Sequence, residues 1–310
     1  MRVTVVQMNP GADKAANLLQ AEQLVDRAAV ERPDLVALPE MWTCLGGDRA
    51  TKLQAAEQLP PAGSGAAGGP AYEFVRRIAR GRGLFVHGGS IGEHAGDGRM
   101  FNTTVVFDPR GNEVARYRKI HLFDITTPDG HGYRESASFG AGDQVVTFMA
   151  GGLRVGCAIC YDLRFPELFL ALRQAGAELI LLPSAFTVAT GRDHWDVLIR
   201  ARAIETQCWM AAPATWGVHR DGAGQDRSTY GHSLVCDPWG QVVATVSDGV
   251  GWATARIDAG RTARVRRDMP VLEHRRPAIF GQRAPDGARP ESGPESGPVG
   301  SEPILAALSV

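Results

Sequence analysis

The stretch that decides the fold is Leu153-Arg-Val-Gly-Cys-Ala-Ile-Cys-Tyr-Asp-Leu-Arg-Phe-Pro-Glu167. Its first half is a mostly apolar run carrying the β-branched Val155 and Ile159, which strands favour. Pro166 then suits the first turn of a helix. Phe165, Leu168, Phe169 and Leu172 continue at helical spacing, and Gly176 stands where a C-terminal cap belongs. Cys160 therefore falls at the carboxyl end of a buried strand, against a helix N-terminus. Free N–H groups and partial positive charge at such an end lower a thiol's pKa, so this is a place for a nucleophile.

Working outward, the same order of elements occurs on both sides of this elbow. In the first half, a strand at 3–8, a helix at 13–31, a strand at 34–38, a helix at 71–80 and a strand at 84–91 lead to a hairpin of 101–107 with 113–117. In the second half, strand 153–159, helix 165–175, strand 178–182, helix 192–206 and strand 208–214 lead to a hairpin of 232–236 with 241–246, and 251–257 adds a strand. The hairpins are closed by Asp108-Pro-Arg-Gly111 and Asp237-Pro-Trp-Gly240, both with the chemistry of a type I turn. A doubled β-α-β-α-β-β-β order predicts an α/β protein, a four-layer α-β-β-α sandwich of two mixed sheets with an internal pseudo-twofold repeat. A single doubly wound sheet is the alternative, disfavoured by the repeated hairpin. The predicted domain is 1–283. From about Ala284 the composition turns to Pro, Gly, Ser and Glu, which predicts a disordered or loosely docked tail over 284–310.

The totals exclude several functions. The 310 residues carry a formal net charge of −1 and 7% aromatics, which gives neither a nucleic-acid footprint nor a membrane-surface one. No apolar run reaches transmembrane length, and the N-terminus does not read as a signal peptide. Five thinly spread cysteines suit a reducing compartment, which points to the cytoplasm. No P-loop, dinucleotide fingerprint or metal triad is present, so no cofactor and no metal is expected. Cys157-Ala-Ile-Cys160 spells C-x-x-C, but along a strand rather than at a helix start, which disfavours a redox or zinc site.

Three reactive side chains stand at predicted strand ends: Glu40, Lys119 and Cys160. Open α/β sheets hold their sites there, and the spacing lets the three converge without requiring it. If they do, a Glu in a mostly apolar pocket serves the thiol as base, and a fixed Lys with the N–H after the nucleophile stabilises an oxyanion. A Cys–His pair using His121 or His194 is the competing arrangement; both histidines read more naturally as loop-holding.

Pro39-Glu40, Arg118-Lys119-Ile-His-Leu-Phe123 and Cys160-Tyr-Asp-Leu-Arg-Phe-Pro-Glu167 resemble, in order, the three signature segments of the nitrilase superfamily of carbon–nitrogen hydrolases. The resemblance runs from about residue 2 to about residue 282. It implies a Glu40–Lys119–Cys160 triad on an α-β-β-α sandwich, and a second glutamate, Glu135, that orients the lysine or the substrate amide. Pro183-Ser-Ala-Phe186, Arg200-Ala-Arg-Ala-Ile-Glu-Thr-Gln-Cys208 and Tyr230-Gly-His-Ser233 resemble the branch of ω-amidases and deaminated-glutathione amidases. In that branch Arg164 grips a substrate carboxylate, and Tyr161, Ser184, Phe186 and Thr187 complete the substrate site. The implied activity is hydrolysis of a linear amide in a small carboxylated substrate through a cysteine thioester, with release of ammonia. Nitrile or N-carbamoyl hydrolysis, or a catalytically silent interaction module, are the alternatives. Tyr161-Asp162, where nitrile-cleaving members carry Trp-Glu, counts against nitriles. Association through a helix-bearing face, as a homodimer or higher homo-oligomer, is also implied.

Overall fold

Alternation along the first strand sets the layers. In a computed structural model that describes residues 1–127, 130–222 and 224–280, Arg2–Gln7 is a strand in which Val3 and Val5 point to one face and Thr4 and Val6 to the other. Val3 and Val5 join Leu35, Ala37 and Val106 of their own sheet and Val155, Leu179 and Leu181 of a second one in the main core. Val6, Val36 and Val86 instead pack under the helices Lys14–Ala28 and Pro70–Arg82, against Leu24, Val25, Val75 and Ile78. Helix, sheet, sheet, helix is the resulting order, the predicted sandwich. Residues Met1–Pro270 form one compact unit; a second begins at Val271, and its described residues include a short 3-10 turn, Pro277–Phe280. The predicted tail, 284–310, lies outside the described residues.

The two sheets have matching pairings. In the first, Arg2–Gln7, Leu35–Ala37 and Phe85–His87 run parallel, and Met100–Phe107 pairs antiparallel with Glu113–Arg118. In the second, Leu153–Cys157, Leu179–Leu181 and Trp209–Ala212 run parallel, followed by the antiparallel Leu234–Cys236 and Val242–Thr245. Both hairpin turns have the predicted form. Asp108 accepts from the backbone of Arg110 and Asn112, Asp237 from that of Trp239 and Gln241, and each turn ends on a glycine with positive φ.

Three expectations need correction. The strand at 251–257 does not extend the second half: Gly251–Arg256 pairs antiparallel with Arg2–Gln7 in the first sheet. Thr147–Ala150, unread in the sequence, takes the same place beside Leu153–Cys157. Each half thus ends in a strand that completes the other half's sheet. The predicted strand 84–91 is broken into Phe85–His87 and Ile91–His94. Gly89 (φ 58) makes the break, and a Cβ there would lie 2.0 Å from the Pro39 carbonyl oxygen. The helix predicted at 192–206 starts earlier, at Val188.

Candidate active site

The break at Gly89 positions the first functional side chain. Ser90 donates its backbone N–H to the Pro39 carbonyl, its hydroxyl accepts from the Met41 N–H, and Trp42 donates its indole N–H to the Gly88 carbonyl. The turn that results puts Met41 at φ 47 and aims Glu40 at the space between the two sheets' ends. Glu40 is 4% exposed. Its Oε1 accepts from Lys119 Nζ at 3.0 Å and Asn102 Nδ2 at 2.8 Å, and its Oε2 from the Ala185 N–H at 2.8 Å. Three other segments therefore fix one carboxylate.

Lys119 follows the strand Glu113–Arg118 directly and is fully enclosed. Its ammonium also reaches both oxygens of Glu135, at 3.1 and 2.9 Å. Glu135 in turn accepts from the Phe123 N–H at 2.7 Å. Burial alone would lower the lysine's pKa, but Glu135 and then Glu40 outweigh it and raise it well above the usual value. Asn102 sits between the carboxylates, 2.8 Å from Glu40 and 3.3 Å from Glu135. Both neighbours are acceptors, so the amide presents its NH₂ to them and leaves Oδ1 buried without a partner. The sequence reading missed Asn102, which looks there like any polar residue of a strand.

Cys160 opens the short 3-10 helix Cys160–Arg164, with φ 45, its N–H donating to the Pro183 carbonyl at 3.0 Å. A side chain bearing a Cβ at positive φ is strained, and such strain clusters at functional sites. The thiol lines the same cavity as the Glu40 carboxylate, and the expected fall in its pKa is reversed. Burial first, then the Glu40 charge, push it well above 9.0, and Lys119 offsets this in part. The physical reason is that two carboxylates already share the one ammonium. A thiolate would be a third anion in a buried cluster holding one cation. The resting group is a thiol poised on a base.

Asp162, fully buried, ties this elbow to the lysine's segment. It accepts from Tyr117 Oη at 2.6 Å, the His121 N–H and Nδ1 at 3.0 and 2.7 Å, and the Ile159 N–H at 2.8 Å. His121 also stacks on Phe165. His121 thus holds a loop, as expected, and the Cys–His alternative has no geometry behind it.

Cys160, Glu40, Lys119, Asn102 and Glu135 line the floor of a cavity of ≈ 430 Å³, a size suited to a small organic ligand. Of the five residues expected to bind substrate, Tyr161, Phe186 and Thr187 form part of its wall. The other two, Ser184 and Arg164, do not line it. Ser184 is fully buried, and its hydroxyl turns back to the Leu182 carbonyl at 3.2 Å. Arg164 lies behind the wall: its guanidinium covers the rings of Tyr161 and Phe186 at 5.9 and 5.4 Å and reaches His194 Nδ1 at 3.3 Å. The cations that do line the cavity are Lys119, Arg49, Lys52, Arg134 and Arg227. Apart from Lys119 they stand on three segments to which the sequence assigns no helix or strand: the helix Arg49–Ala55, the hairpin of Asp124–Thr126 with Gly132–Arg134, and the hairpin of Trp216–Arg220 with Asp226–Tyr230.

A buried carboxylate, ammonium and thiol at the ends of two facing sheets are what the carbon–nitrogen hydrolase signatures anticipated, and the family model for carbon-nitrogen hydrolases matches residues 2–267; the chain belongs to that family. Among its relatives, the deaminated glutathione amidase of Synechocystis sp. is 39% identical over 274 residues, covering 87% of this chain and 96% of the relative. The deaminated glutathione amidase of Homo sapiens is 41% identical over 286 residues, covering 90% and 83%. Among solved structures, Saccharomyces cerevisiae Nit3, a member of branch 10 of the nitrilase superfamily, superposes with a TM-score of 0.76 at 28% identity, covering 87% of this chain and 94% of that one.

Proposed function

We propose that this protein is an amidase that hydrolyses the linear amide of a small carboxylated substrate, of the deaminated-glutathione type, through a thioester on Cys160. The observation that carries the reading is the Glu40 carboxylate, held by Lys119, Asn102 and the Ala185 N–H in the same cavity lining as the Cys160 thiol. Such a base needs no preformed thiolate. As Sγ adds to the amide carbon, the thiol proton passes to Glu40. Lys119 and the Tyr161 N–H face the oxygen that gains charge. Collapse of the tetrahedral species breaks the C–N bond, and the proton on Glu40 goes to the leaving nitrogen. That nitrogen departs as ammonia from a primary amide, or as the free amine of a peptide from deaminated glutathione. Water deprotonated by Glu40 then attacks the thioester, and the thiol recovers its proton as the acid leaves. Glu135 and Asn102 act through Lys119 and Glu40 by fixing them. A small-molecule substrate, no cofactor, a cytoplasmic setting and a homodimer complete the reading; among the described residues no helix is long and apolar enough to cross a membrane.

The test is product analysis with purified protein over deaminated glutathione, ω-amides of α-keto acids, N-carbamoyl compounds and nitriles, beside Cys160→Ala. Deaminated glutathione is expected to be cleaved at its γ-amide by the wild type and not by the variant, with an acyl adduct on Cys160 in intact-mass spectra after rapid acid quench. Turnover confined to nitriles, or undiminished in Cys160→Ala, would overturn the reading. Light scattering at micromolar concentration checks the dimer.

A further inference from the structure

Resting on the amidase reading, we infer that Lys52 and Arg227 together form the anchor for a second carboxylate of the substrate, the one farther from the scissile amide. Both side chains line the cavity, and neither has a hydrogen bond to Glu40, Lys119 or Cys160 among the described residues. They are carried on different elements that the fold clamps together. Gly47 donates its N–H to the Arg220 carbonyl at 2.9 Å. A Cβ on Gly46 would lie 2.8 Å from that same oxygen, and one on Gly222 would lie 2.3 Å from Asp48 Cβ. The segment 46–48, which leads into the helix Arg49–Ala55, and the hairpin tip at 220–222 thus meet without room between them, which brings together the two elements that carry Lys52 and Arg227 into the cavity lining.

Two like charges at close quarters in a partly enclosed wall are a cost unless something answers them. Asp221 does so in part, 3.5 Å from Arg227 Nη2, and the guanidinium lies on the Tyr133 ring at 4.9 Å. Arg227 Nε is nevertheless buried with no hydrogen-bond partner. Burial and then Arg227 lower the Lys52 pKa. A planar guanidinium with an unused N–H beside an ammonium is a fitting receptor for a carboxylate, which brings two acceptor oxygens. Arg164, the expected gripper, covers the rings of Tyr161 and Phe186 and is not among the residues that line the cavity. The far carboxylate of a deaminated glutathione is that of its glycine, six bonds from the reacting carbon, against four for the keto-acid carboxylate.

The experiment compares kcat/KM for deaminated glutathione and for its glycine carboxamide, in wild type, Lys52→Met, Arg227→Met and Lys52→Arg. The wild type is expected to prefer the acid by about 10- to 100-fold, as charge-assisted hydrogen bonds of this kind allow. Each Met variant should bring that ratio down to within a few-fold of one, through KM for the acid, and Lys52→Arg should restore part of it. Because the readout is a ratio, damage to the fold alone lowers both substrates together. An unaltered ratio in the Met variants, or a wild type indifferent to the carboxamide, would sink the anchor while leaving the amidase reading intact. A wild type that cleaves simple ω-amides but neither glutathione derivative would remove the substrate reading and the anchor with it.

Discussion

The two halves share a topology yet hold opposite kinds of chemistry at matching places. Register aligns Leu35-Val-Ala-Leu-Pro-Glu-Met-Trp42 with Leu179-Ile-Leu-Leu-Pro-Ser-Ala-Phe186, since Leu35–Ala37 and Leu179–Leu181 each sit parallel between the first and third strands of their sheets. Both segments leave the strand through Leu-Pro. The first then presents Glu40 to the site through its side chain. The second turns Ser184 back onto Leu182 and presents a backbone N–H, that of Ala185, to the same carboxylate. The first half supplies the charges, Glu40, Lys119 and Glu135, and the second supplies the thiol. A cluster of two anions and one cation is built on one sheet, and the nucleophile reaches it from the other, so the site is complete only when the sheets pack.

The largest effect expected from breaking this asymmetry is at Glu40. Glu40→Gln keeps the shape and removes the proton acceptor, and kcat should fall by about 10²–10⁴-fold, the usual worth of a general base. Single-turnover measurement should locate the loss in acylation. A loss of less than threefold would mean that the thiol proton goes elsewhere.

A second asymmetry lies one strand further on. His87 pairs with Ala37 as Ala211 pairs with Leu181. His87 is fully buried with neither ring nitrogen partnered, and burial lowers its pKa from 6.5 to about 3. The unfolded chain takes up this proton below 6.5, whereas the folded chain resists until about 3. Stability is therefore intact above pH 6.5 and is lost progressively as pH falls through that window. The loss approaches roughly 5 kcal/mol at its acid end. His87→Leu, which makes the first half resemble the second, should shift the midpoint of acid unfolding to lower pH by circular dichroism. An unshifted midpoint would show that His87 carries no such load.

Gly89 tests whether the first half's loop, rather than the residue it carries, sets the geometry. Ala at 89 would need a Cβ 2.0 Å from the Pro39 oxygen at positive φ, so Pro39 must move and take Glu40 with it. A misplacement near 1 Å can cost about 10²-fold in rate. Gly89→Ala should lose that much kcat while keeping its far-ultraviolet spectrum; full activity would mean the loop relaxes without moving Glu40.

Much of this asymmetry was legible in the chain, because it is written in local chemistry. The two Asp-Pro-x-Gly turns, the apolar strands and the placement of Glu40, Lys119 and Cys160 at strand ends all follow from residues within a few positions of one another. What was not legible depends on distant partners. Gly251–Arg256 alternates as a strand in any sheet, and only tertiary pairing with Arg2–Gln7 assigns it. Asn102 is a strand amide until two carboxylates close on it. Nothing in the sequence around Lys52 and Arg227 marks them for a shared cavity, because the helix and the hairpin that carry them meet only through the fold. For Arg164 and Ser184, the position near the site was right and the direction of the side chain was not. Direction is set by what competes for the group: aromatic faces and His194 for the guanidinium, a free carbonyl for the hydroxyl. The thiol pKa runs opposite to the expectation because burial first and then the Glu40 charge outweigh what a helix N-terminus offers.

Ser184 offers the smallest and most discriminating test of the comparison. It occupies the place Glu40 holds in the other half, and a role in substrate binding would make the two positions chemically equivalent. The structure gives its hydroxyl one internal acceptor, the Leu182 carbonyl at 3.2 Å, and no place on the cavity wall. Ser184→Ala should therefore cost about 1 kcal/mol of stability, the worth of one neutral hydrogen bond. KM should stay within twofold of the wild type, because the Ala185 N–H that reaches Glu40 belongs to the backbone and survives the change. A KM raised tenfold at unaltered stability would instead place the Ser184 side chain in contact with substrate, and the two Leu-Pro turns would then both serve chemistry through their side chains.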